Sequence, residues 1–254
     1  MKMYYEIQGE GHPLVLLHGG AGATEMFSGI VKPLSDGRKV VLADLQAHGR
    51  TADIDRPLRY ELMGDDVAAL AEYLHLGKVD LMGYSLGAGA ALRAAIQHPD
   101  FVRKLVIIST PFKRDGWYPE VRDAMSQGSP ESAEAMKQSP MYEMYARIAP
   151  RPQDWPVLFT KLGEMLRRDY DWSEEVKQIR APTMIVVGDS DSVSPAHAVE
   201  FFELLGGGRE DAGWDGSRMP KARLAILPGV THYNIFASPA LVATVLPFLG
   251  APIS

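Results

Sequence analysis

Short apolar stretches alternate with stretches of helical spacing along the first 110 residues. Apolar residues three and four positions apart predict helices over 25–34, 60–74 and 86–97. The apolar stretches predict an edge strand over 4–8 and buried strands over 14–17, 39–43, 79–82 and 105–108. Because the buried strands are apolar throughout, the pattern indicates an α/β protein with a mostly parallel sheet and helices on both faces.

The alternation stops at Pro111 and resumes at Thr183. Between these residues the chain has only helical segments interrupted by prolines. After them, strands are predicted over 183–187 and 222–227, helices over 196–205 and 240–249, and a surface loop over 206–221. This order predicts one core domain, 1–110 and 181–254, that carries an inserted helical cap, 111–180.

Composition restricts the classes of partner and site. The 254 residues are 46% hydrophobic and 23% charged, which suits a soluble protein with one sizeable core. The net charge of -6, without long charged runs, disfavours nucleic acid and membrane surfaces as partners. The absence of cysteine excludes disulfides and thiolate chemistry. No signal peptide or apolar stretch of ~20 residues is recognisable, so we expect a cytoplasmic protein. We expect it to be a monomer or a homodimer, and the sequence does not choose between the two.

The sequence G-Y-S-L-G, residues 83–87, stands between a predicted strand and a predicted helix. In a strand–turn–helix elbow the central serine, here Ser85, has a strained backbone that exposes its hydroxyl. The flanking glycines allow strand and helix to pass closely, and the N–H of Leu86 faces an oxyanion formed beside the serine. The alternative is that Ser85 only caps the helix.

A serine nucleophile requires a base. Among the seven histidines, His232 follows strand 222–227 by a short loop, 228–231, which brings it to the same edge of the sheet as Ser85. His18 and His48 also follow strands, and we expect them to hydrogen-bond their loops. The others are expected to be solvated surface groups: His12, His75, His98 and His197.

The base requires an acid that orients it. Strand 183–187 is followed by G-D-S-D, residues 188–191, which offers Asp189 and Asp191 at the same edge. The spacing alone does not choose between the two carboxylates.

The chain resembles the α/β-hydrolase superfamily along nearly its whole length, because five of its segments occur in the order typical of that family. The matching segments are H-G-G at 18–20, D-x-x-x-H-G-R at 44–50, the elbow at 83–87, G-D-S-D at 188–191 and P-G-V-T-H at 228–232. The resemblance implies a sheet of about eight strands and a helical cap. The chain departs from many relatives at Ala47 and Thr51, in a supporting loop.

The resemblance also implies roles for individual residues. Ser85 would be the nucleophile, His232 the general base and Asp191, rather than Asp189, the acid. The oxyanion would be bound by the N–H groups of Leu86 and Gly20. No cofactor or metal is implied.

The cap sequence is rich in methionine and aromatic residues, whose first expected role is packing on the core. The inner face of the cap is also expected to line a pocket. Tyr145 and Trp117 of the cap, and Tyr84 of the elbow, are expected to contact the substrate. The expected substrate is an ester or lactone with a modest hydrophobic acyl or aromatic group. C–C bond hydrolysis of a β-diketone, enol-lactone hydrolysis and perhydrolysis use the same triad and stay open.

Two alternatives belong to other classes. A dinucleotide-binding domain would use Gly20-Ala21-Gly22 and Asp44, but Glu25 stands where its fingerprint requires glycine, and its charge would repel pyrophosphate. A member of the same fold that only binds ligands is the second alternative.

Overall fold

Seven strands form a single sheet in the computed structural model, which describes residues 1–252. The strands are β1 (Tyr5–Gln8), β2 (His12–Leu17), β3 (Arg38–Ala43), β4 (Val79–Tyr84), β5 (Val102–Ile108), β6 (Thr183–Ser190) and β7 (Ala222–Thr231). Their order is β1-β3-β2-β4-β5-β6-β7, with β1 antiparallel and all other neighbours parallel. The predicted fold class is confirmed, with seven strands where about eight were expected.

The helices of residues 1–252 cover both faces of the sheet. Helices α2, α3 and α9 contribute to one apolar core, and α1 and α10 contribute to the other. The helices are α1 (Val31–Leu34), α2 (Tyr60–Tyr73), α3 (Leu86–Gln97), α4 (Pro119–Ser126), α5 (Pro130–Ala135), α6 (Pro140–Ile148), α7 (Trp155–Leu166), α8 (Ser173–Val176), α9 (Pro195–Leu204) and α10 (Pro239–Gly250).

The two cores explain why the strands are apolar throughout. In β2, Leu14 and Leu16 enter the core with α1 and α10, whereas Val15 and Leu17 enter the core with α2 and α3. Successive side chains of a strand point to opposite faces, so a strand covered on both sides must be apolar at every position.

Helices α4 to α8 lie in the stretch between β5 and β6, which we call segment 111–180. Side chains of α7, among them Trp155 and Leu158, belong to the same apolar core as α2 and α3. This packing agrees with the first role expected for the aromatic residues of the segment. Its assignment as a separate cap domain stays a prediction.

Polar contacts also attach segment 111–180 to the rest of the chain. The ammonium group of Lys161 lies 2.6 Å from the Asp53 carboxylate and donates to the carbonyls of Ile54 and Arg56, each at 2.9 Å. At a second place, Glu25 pairs with Arg50 and with Arg147 of α6, each at 2.7 Å.

Some elements differ from the sequence prediction. Residues 228–231, expected to form a loop, continue β7 to its end, and Thr231 pairs with Ser190 of β6 after a shift of register. The two strands approach closely at this point, as shown by the 2.1 Å that would separate a Cβ on Gly188 from the Val230 carbonyl oxygen. The helix expected over 25–34 is instead a 3₁₀ turn, Thr24–Phe27, followed by α1. Among residues 1–252, every helix is too short or too polar to cross a bilayer.

Candidate active site

Ser85 occupies the sharp turn between β4 and α3. Its backbone has φ 52° and ψ −115°, a strained conformation for a residue with a side chain. A Cβ on Gly83 would lie 2.3 Å from the Gly87 carbonyl oxygen, and a Cβ on Gly87 would lie 2.4 Å from that of Leu17. Strand and helix therefore cross too closely for any larger residue. The Ser85 hydroxyl makes no capping bond to α3, so it is not a simple helix cap.

The side chains of Ser85, His232 and Asp191 form one hydrogen-bonded chain. His232 Nε2 lies 3.1 Å from Ser85 Oγ, and His232 Nδ1 lies 2.9 Å from Asp191 Oδ1. The hydrogen-bond pattern assigns the proton of a neutral ring to Nδ1, because the carboxylate only accepts. The Nε2 lone pair then faces the serine hydroxyl, as a general base must.

Asp189 has a different partner, although it belongs to the same stretch as Asp191. Its exposed carboxylate accepts the N–H of Gly229 at 3.0 Å, which joins the ends of β6 and β7. The structure thus places Asp191, and not Asp189, against the histidine ring.

The surroundings of Asp191 keep its carboxyl ionised. Burial raises its pKa, but the hydrogen bonds from His232, Ser109 and the Gly188 N–H outweigh burial, and the net result is a lowered pKa. The N–H of Ser192 donates to Oδ1 at 2.7 Å. A buried charge held in this way fixes the orientation of the imidazole and stabilises its protonated form.

The residues expected to bind an oxyanion lie side by side. Leu86 is the first residue of α3, so its N–H has no partner within the helix. Gly20 lies in the loop after β2, where a Cβ would be 4.0 Å from Leu86 Cβ. The loop is supported by His18, whose Nδ1 lies 2.7 Å from the Gly19 carbonyl and whose Nε2 accepts the Leu45 N–H at 3.0 Å.

The polar residues of the two other matching segments, 18–20 and 44–50, hold the loops around the site. Burial lowers the pKa of His18 to about 4 and that of His48 to about 3, so both rings are neutral at neutral pH. His48 Nδ1 lies 2.7 Å from the Gln46 carbonyl. Asp44 accepts the N–H groups of Thr24 and Arg50, at 2.7 and 2.8 Å. These residues connect the loops around the site and do not reach Ser85.

The three residues expected to contact substrate are nearly buried. The Tyr84 hydroxyl donates to the His232 carbonyl at 2.7 Å, and the Tyr84 ring is in the core with α1 and α10. Substrate contact by Tyr84 stays a prediction. Trp117 packs edge-on against the His232 ring, with centroids 5.6 Å apart. Tyr145 packs on Trp155 at 5.0 Å. Substrate contact by Trp117 and Tyr145 stays a prediction.

One of the histidines expected at the surface is buried. His197 in α9 is 5% exposed, stacks on Phe112 with centroids 4.3 Å apart, and accepts the Phe112 N–H at 3.3 Å. Burial lowers its pKa to about 4. The expectation failed because segment 111–180 begins by passing over α9, a contact that no local pattern shows.

Sequence reasoning also missed Ser109 and Thr110, which follow β5. The Ser109 hydroxyl donates to Asp191 Oδ2 at 2.5 Å, and the Thr110 hydroxyl donates to the Ser85 carbonyl at 2.8 Å. The available signal was their place directly after a strand of the parallel sheet, at the edge where Ser85 and Asp191 were already expected.

Residues 1–252 contain no group of three or more histidine, aspartate or glutamate side chains placed to hold a metal ion. The arrangement around Ser85 consists of a hydroxyl, an imidazole, a carboxylate and backbone N–H groups. Groups of these types can carry out acyl transfer.

The chain is similar to several known proteins. It is 25% identical to a pimeloyl-[acyl-carrier protein] methyl ester esterase of Nitrosomonas europaea, over 94% of this chain and 95% of that protein. It is 36% identical to an sn-1-specific diacylglycerol lipase of Danio rerio over 106 residues, which are 41% of this chain and 33% of the lipase. The crystal structure of E-2-(acetamidomethylene)succinate hydrolase superposes with a TM-score of 0.76 at 23% identity, covering 98% of this chain and 95% of that one.

A family model described as the alpha/beta hydrolase fold matches residues 12–139, about half of the chain. The match begins at β2 and includes both Gly20 and the elbow at Ser85. Together with the order of the strands and the strained turn after β4, it shows that the chain belongs to the α/β-hydrolase family.

Proposed function

We propose that the protein is a serine hydrolase that cleaves carboxylic esters or lactones through a covalent acyl-enzyme. The observation that carries the proposal is the continuous chain from Asp191 through His232 to Ser85, with distances of 2.9 and 3.1 Å. A free serine hydroxyl is a weak nucleophile, and this chain supplies the base and the orienting acid that activate it.

In the first half of the reaction, Ser85 Oγ attacks the carbonyl carbon as His232 Nε2 takes its proton. The negative charge that develops on the carbonyl oxygen is bound by the N–H groups of Leu86 and Gly20. The ionised Asp191 stabilises the protonated imidazole formed at this stage. The imidazole then gives its proton to the leaving alkoxide, and the acyl group remains on Ser85.

In the second half, water takes the place of the alcohol. His232 Nε2 removes a proton from water as its oxygen attacks the acyl carbon, and the imidazole returns that proton to Ser85 Oγ as the acid is released. Both halves use the same base and the same oxyanion donors.

Two observations support an ester or lactone with a modest hydrophobic group as the substrate. The relative from Nitrosomonas europaea, which matches along nearly its whole length, is named as a methyl ester esterase. In addition, the apolar ring of Trp117 packs edge-on against the His232 ring of the triad, with centroids 5.6 Å apart. We propose that segment 111–180 is the cap that covers this site, since Trp117 belongs to it.

The first test is covalent labelling of Ser85 with a fluorophosphonate, followed by peptide mass spectrometry. We expect labelling at Ser85 and complete loss of labelling in Ser85→Ala. That variant should lose at least about 10³-fold in kcat on aryl esters while it still binds ligand. A Ser85→Ala variant with most of its activity would remove the proposed mechanism.

The second test is turnover of a substrate panel at equal concentrations. It contains p-nitrophenyl esters of increasing acyl length, a γ-lactone, an enol-lactone, a β-diketone and a charged, strongly polar ester. We expect the highest kcat/KM among short to medium apolar esters and lactones. Preferred cleavage of the β-diketone would assign C–C hydrolysis instead, and equal turnover of polar and apolar esters would contradict the hydrophobic site.

A further inference from the structure

Two adjacent hydroxyl residues at the end of β5 contact the two ends of the triad. Ser109 contacts the acid, and Thr110 contacts the main chain of the nucleophile. Both are almost fully buried, at 0% and 3% exposure. No step of the proposed reaction requires either hydroxyl, so their positions need another explanation.

Ser109 fixes the carboxylate oxygen that does not face the histidine. His232 Nδ1 contacts Asp191 Oδ1, whereas the Ser109 hydroxyl and the Gly188 N–H donate to Oδ2, the latter at 3.0 Å. With donors on both oxygens, the carboxylate cannot turn about its Cβ–Cγ bond. The plane of the carboxylate, and with it the position of the His232 ring, is thereby fixed.

The backbone of Ser109 is strained. Its φ is 54°, in the left-handed region that residues with a side chain rarely adopt, while its N–H continues the sheet by donating to the Val186 carbonyl at 2.9 Å. Glycine would remove the strain. The residue at this position is nevertheless a serine, and its hydroxyl donates the hydrogen bond that Asp191 Oδ2 accepts.

Thr110 acts on the opposite end of the triad. Its hydroxyl donates to the Ser85 carbonyl at 2.8 Å, and the Ser85 N–H donates to the Ile108 carbonyl at 2.9 Å. The main chain of Ser85 is therefore held on both sides by the last residues of β5 and the residues that follow. This attachment opposes relaxation of the strained elbow.

We propose that Ser109 and Thr110 are a pair of positioning residues that set the distance and orientation between the acid and the nucleophile from one strand end. The inference rests on the proposed function, since it concerns the same triad. The pair touches neither substrate nor reacting atoms, and acts only through Asp191 and Ser85.

The first experiment compares Ser109→Ala with Ser109→Gly by the rate of fluorophosphonate labelling and by hydrolysis of p-nitrophenyl acetate. Both substitutions remove the hydroxyl, but glycine adopts a positive φ without the strain that a residue with a Cβ, such as alanine, keeps there. We expect both variants to label about tenfold more slowly, a loss typical of one hydrogen bond to a charged group. The Gly variant should melt at a higher temperature than the Ala variant. Recovery of the rate in Ser109→Gly would assign the effect to the backbone and overturn the role of the hydroxyl.

The pH profile and a double-mutant cycle test whether Ser109 acts through Asp191. Loss of a donor to the ionised form raises the pKa of the Asp191 carboxyl toward its ordinary value, so the melting temperature of Ser109→Ala should fall less steeply than that of the wild-type protein as acid is added. In an Asp191→Ala background, Ser109→Ala should have no further effect. An unchanged dependence of the melting temperature on pH, or the same tenfold loss of labelling rate without Asp191, would contradict the proposal.

Thr110→Val is compared with Thr183→Val, a matched control at the opposite end of the sheet. Thr183 is also buried, at 1% exposure, and its hydroxyl donates to the Ala181 carbonyl at 2.9 Å. We expect similar losses of stability, but an approximately fivefold slower labelling only in Thr110→Val, with rescue by Thr110→Ser. Equal labelling rates for the two valine variants would remove Thr110 from the pair.

The outcomes also separate this inference from the proposed function. If the wild-type protein labels at Ser85 and all variants label at its rate, the positioning role is wrong and the hydrolase proposal stands. If the wild-type protein does not label while remaining folded, the hydrolase proposal itself fails.

Discussion

Asp189 and Asp191 stand two positions apart, but only Asp191 places an oxygen on the ring of His232. Asp191 has a fully buried carboxylate that accepts bonds on both oxygens, whereas the exposed carboxylate of Asp189 accepts only the Gly229 N–H and a long contact from Ser190. Charge that is fixed beside the base supports catalysis, and charge at an exposed turn does not. The same type of residue thus has two roles, set by its surroundings.

We predict that Asp191→Asn lowers kcat by about 10³-fold or more, because an amide that donates to Nδ1 selects the wrong tautomer of His232. Asp189→Asn is the matched control and should change kcat by less than about threefold, since the turn is exposed. Both are measured as kcat and KM on an aryl ester. A larger loss of kcat in Asp189→Asn than in Asp191→Asn would show that Asp189, and not Asp191, is the acid.

The same pair of variants has a pH signature in stability. The pKa of Asp191 lies below its ordinary value of 3.8, so its ionised contacts stabilise the fold at neutral pH. This contribution is lost as the pH falls from that ordinary value through the lower pKa of the folded state. The melting temperature of the wild-type protein and of Asp189→Asn should therefore fall more steeply in this range than that of Asp191→Asn.

At the level of elements, the site depends on how closely β4 and α3 approach. The clash that a Cβ on Gly87 would make is with main chain, the Leu17 carbonyl oxygen, so no side chain can move to relieve it. Glycine at this position is required by the crossing of two elements, independently of any contact with substrate.

We predict that Gly87→Ala destabilises the protein by about 1–3 kcal/mol, the range for overpacking a tight site, and slows the labelling of Ser85. Gly29→Ala is the control, because a Cβ there would meet nothing within 4 Å and the position is exposed. Denaturant unfolding gives both free energies. Equal stability of the two variants would show that the elbow relaxes without cost.

Elements with strong local signals were predictable from sequence. Helix α3 has the predicted limits, Leu86–Gln97, because an apolar face follows directly on a strand and a glycine turn. The extension of β7 to Thr231 was not predictable, because Pro228 and Gly229 indicate a loop and only pairing with β6 makes the stretch a strand. Local propensity was outweighed there by tertiary contacts.

The same limit applies to the site. The residues at the ends of β4, β6 and β7 were found because parallel strands bring their carboxyl ends to one edge. Which carboxylate faces His232, and that Tyr84 turns away toward the core, depend on side-chain direction, which spacing does not specify. The contact of Ser109 with Asp191 joins positions 82 residues apart and has no local signal.

For the molecule as a whole, the Lys161–Asp53 and Arg147–Glu25 pairs are among the polar contacts that attach segment 111–180, and these two pairs differ in exposure. Lys161 and Asp53 are 18% and 10% exposed, while Arg147 is 64% exposed in its pair with Glu25. Exposed ion pairs contribute little, because water and salt screen them. The less exposed Lys161, with three acceptors from residues 53–56, should therefore contribute more to the attachment than Arg147 does.

We predict that Lys161→Met raises amide hydrogen exchange in segment 111–180 by about tenfold or more, while exchange in β4 and α3 stays unchanged. The reason is that the Asp53 carboxylate loses its cationic partner, although it keeps the hydrogen bond from the Gln46 amide, and the Ile54 and Arg56 carbonyls lose the ammonium donor at the same time. Arg147→Met, an equal change at the exposed pair, should raise exchange by less than about twofold. Asp53→Asn should partly reverse the effect of Lys161→Met, since it removes the unpaired charge. The segment includes Trp117, which packs against the His232 ring. Lys161→Met should therefore also slow the labelling of Ser85. Labelling at the wild-type rate despite increased exchange would show that the triad does not depend on the segment.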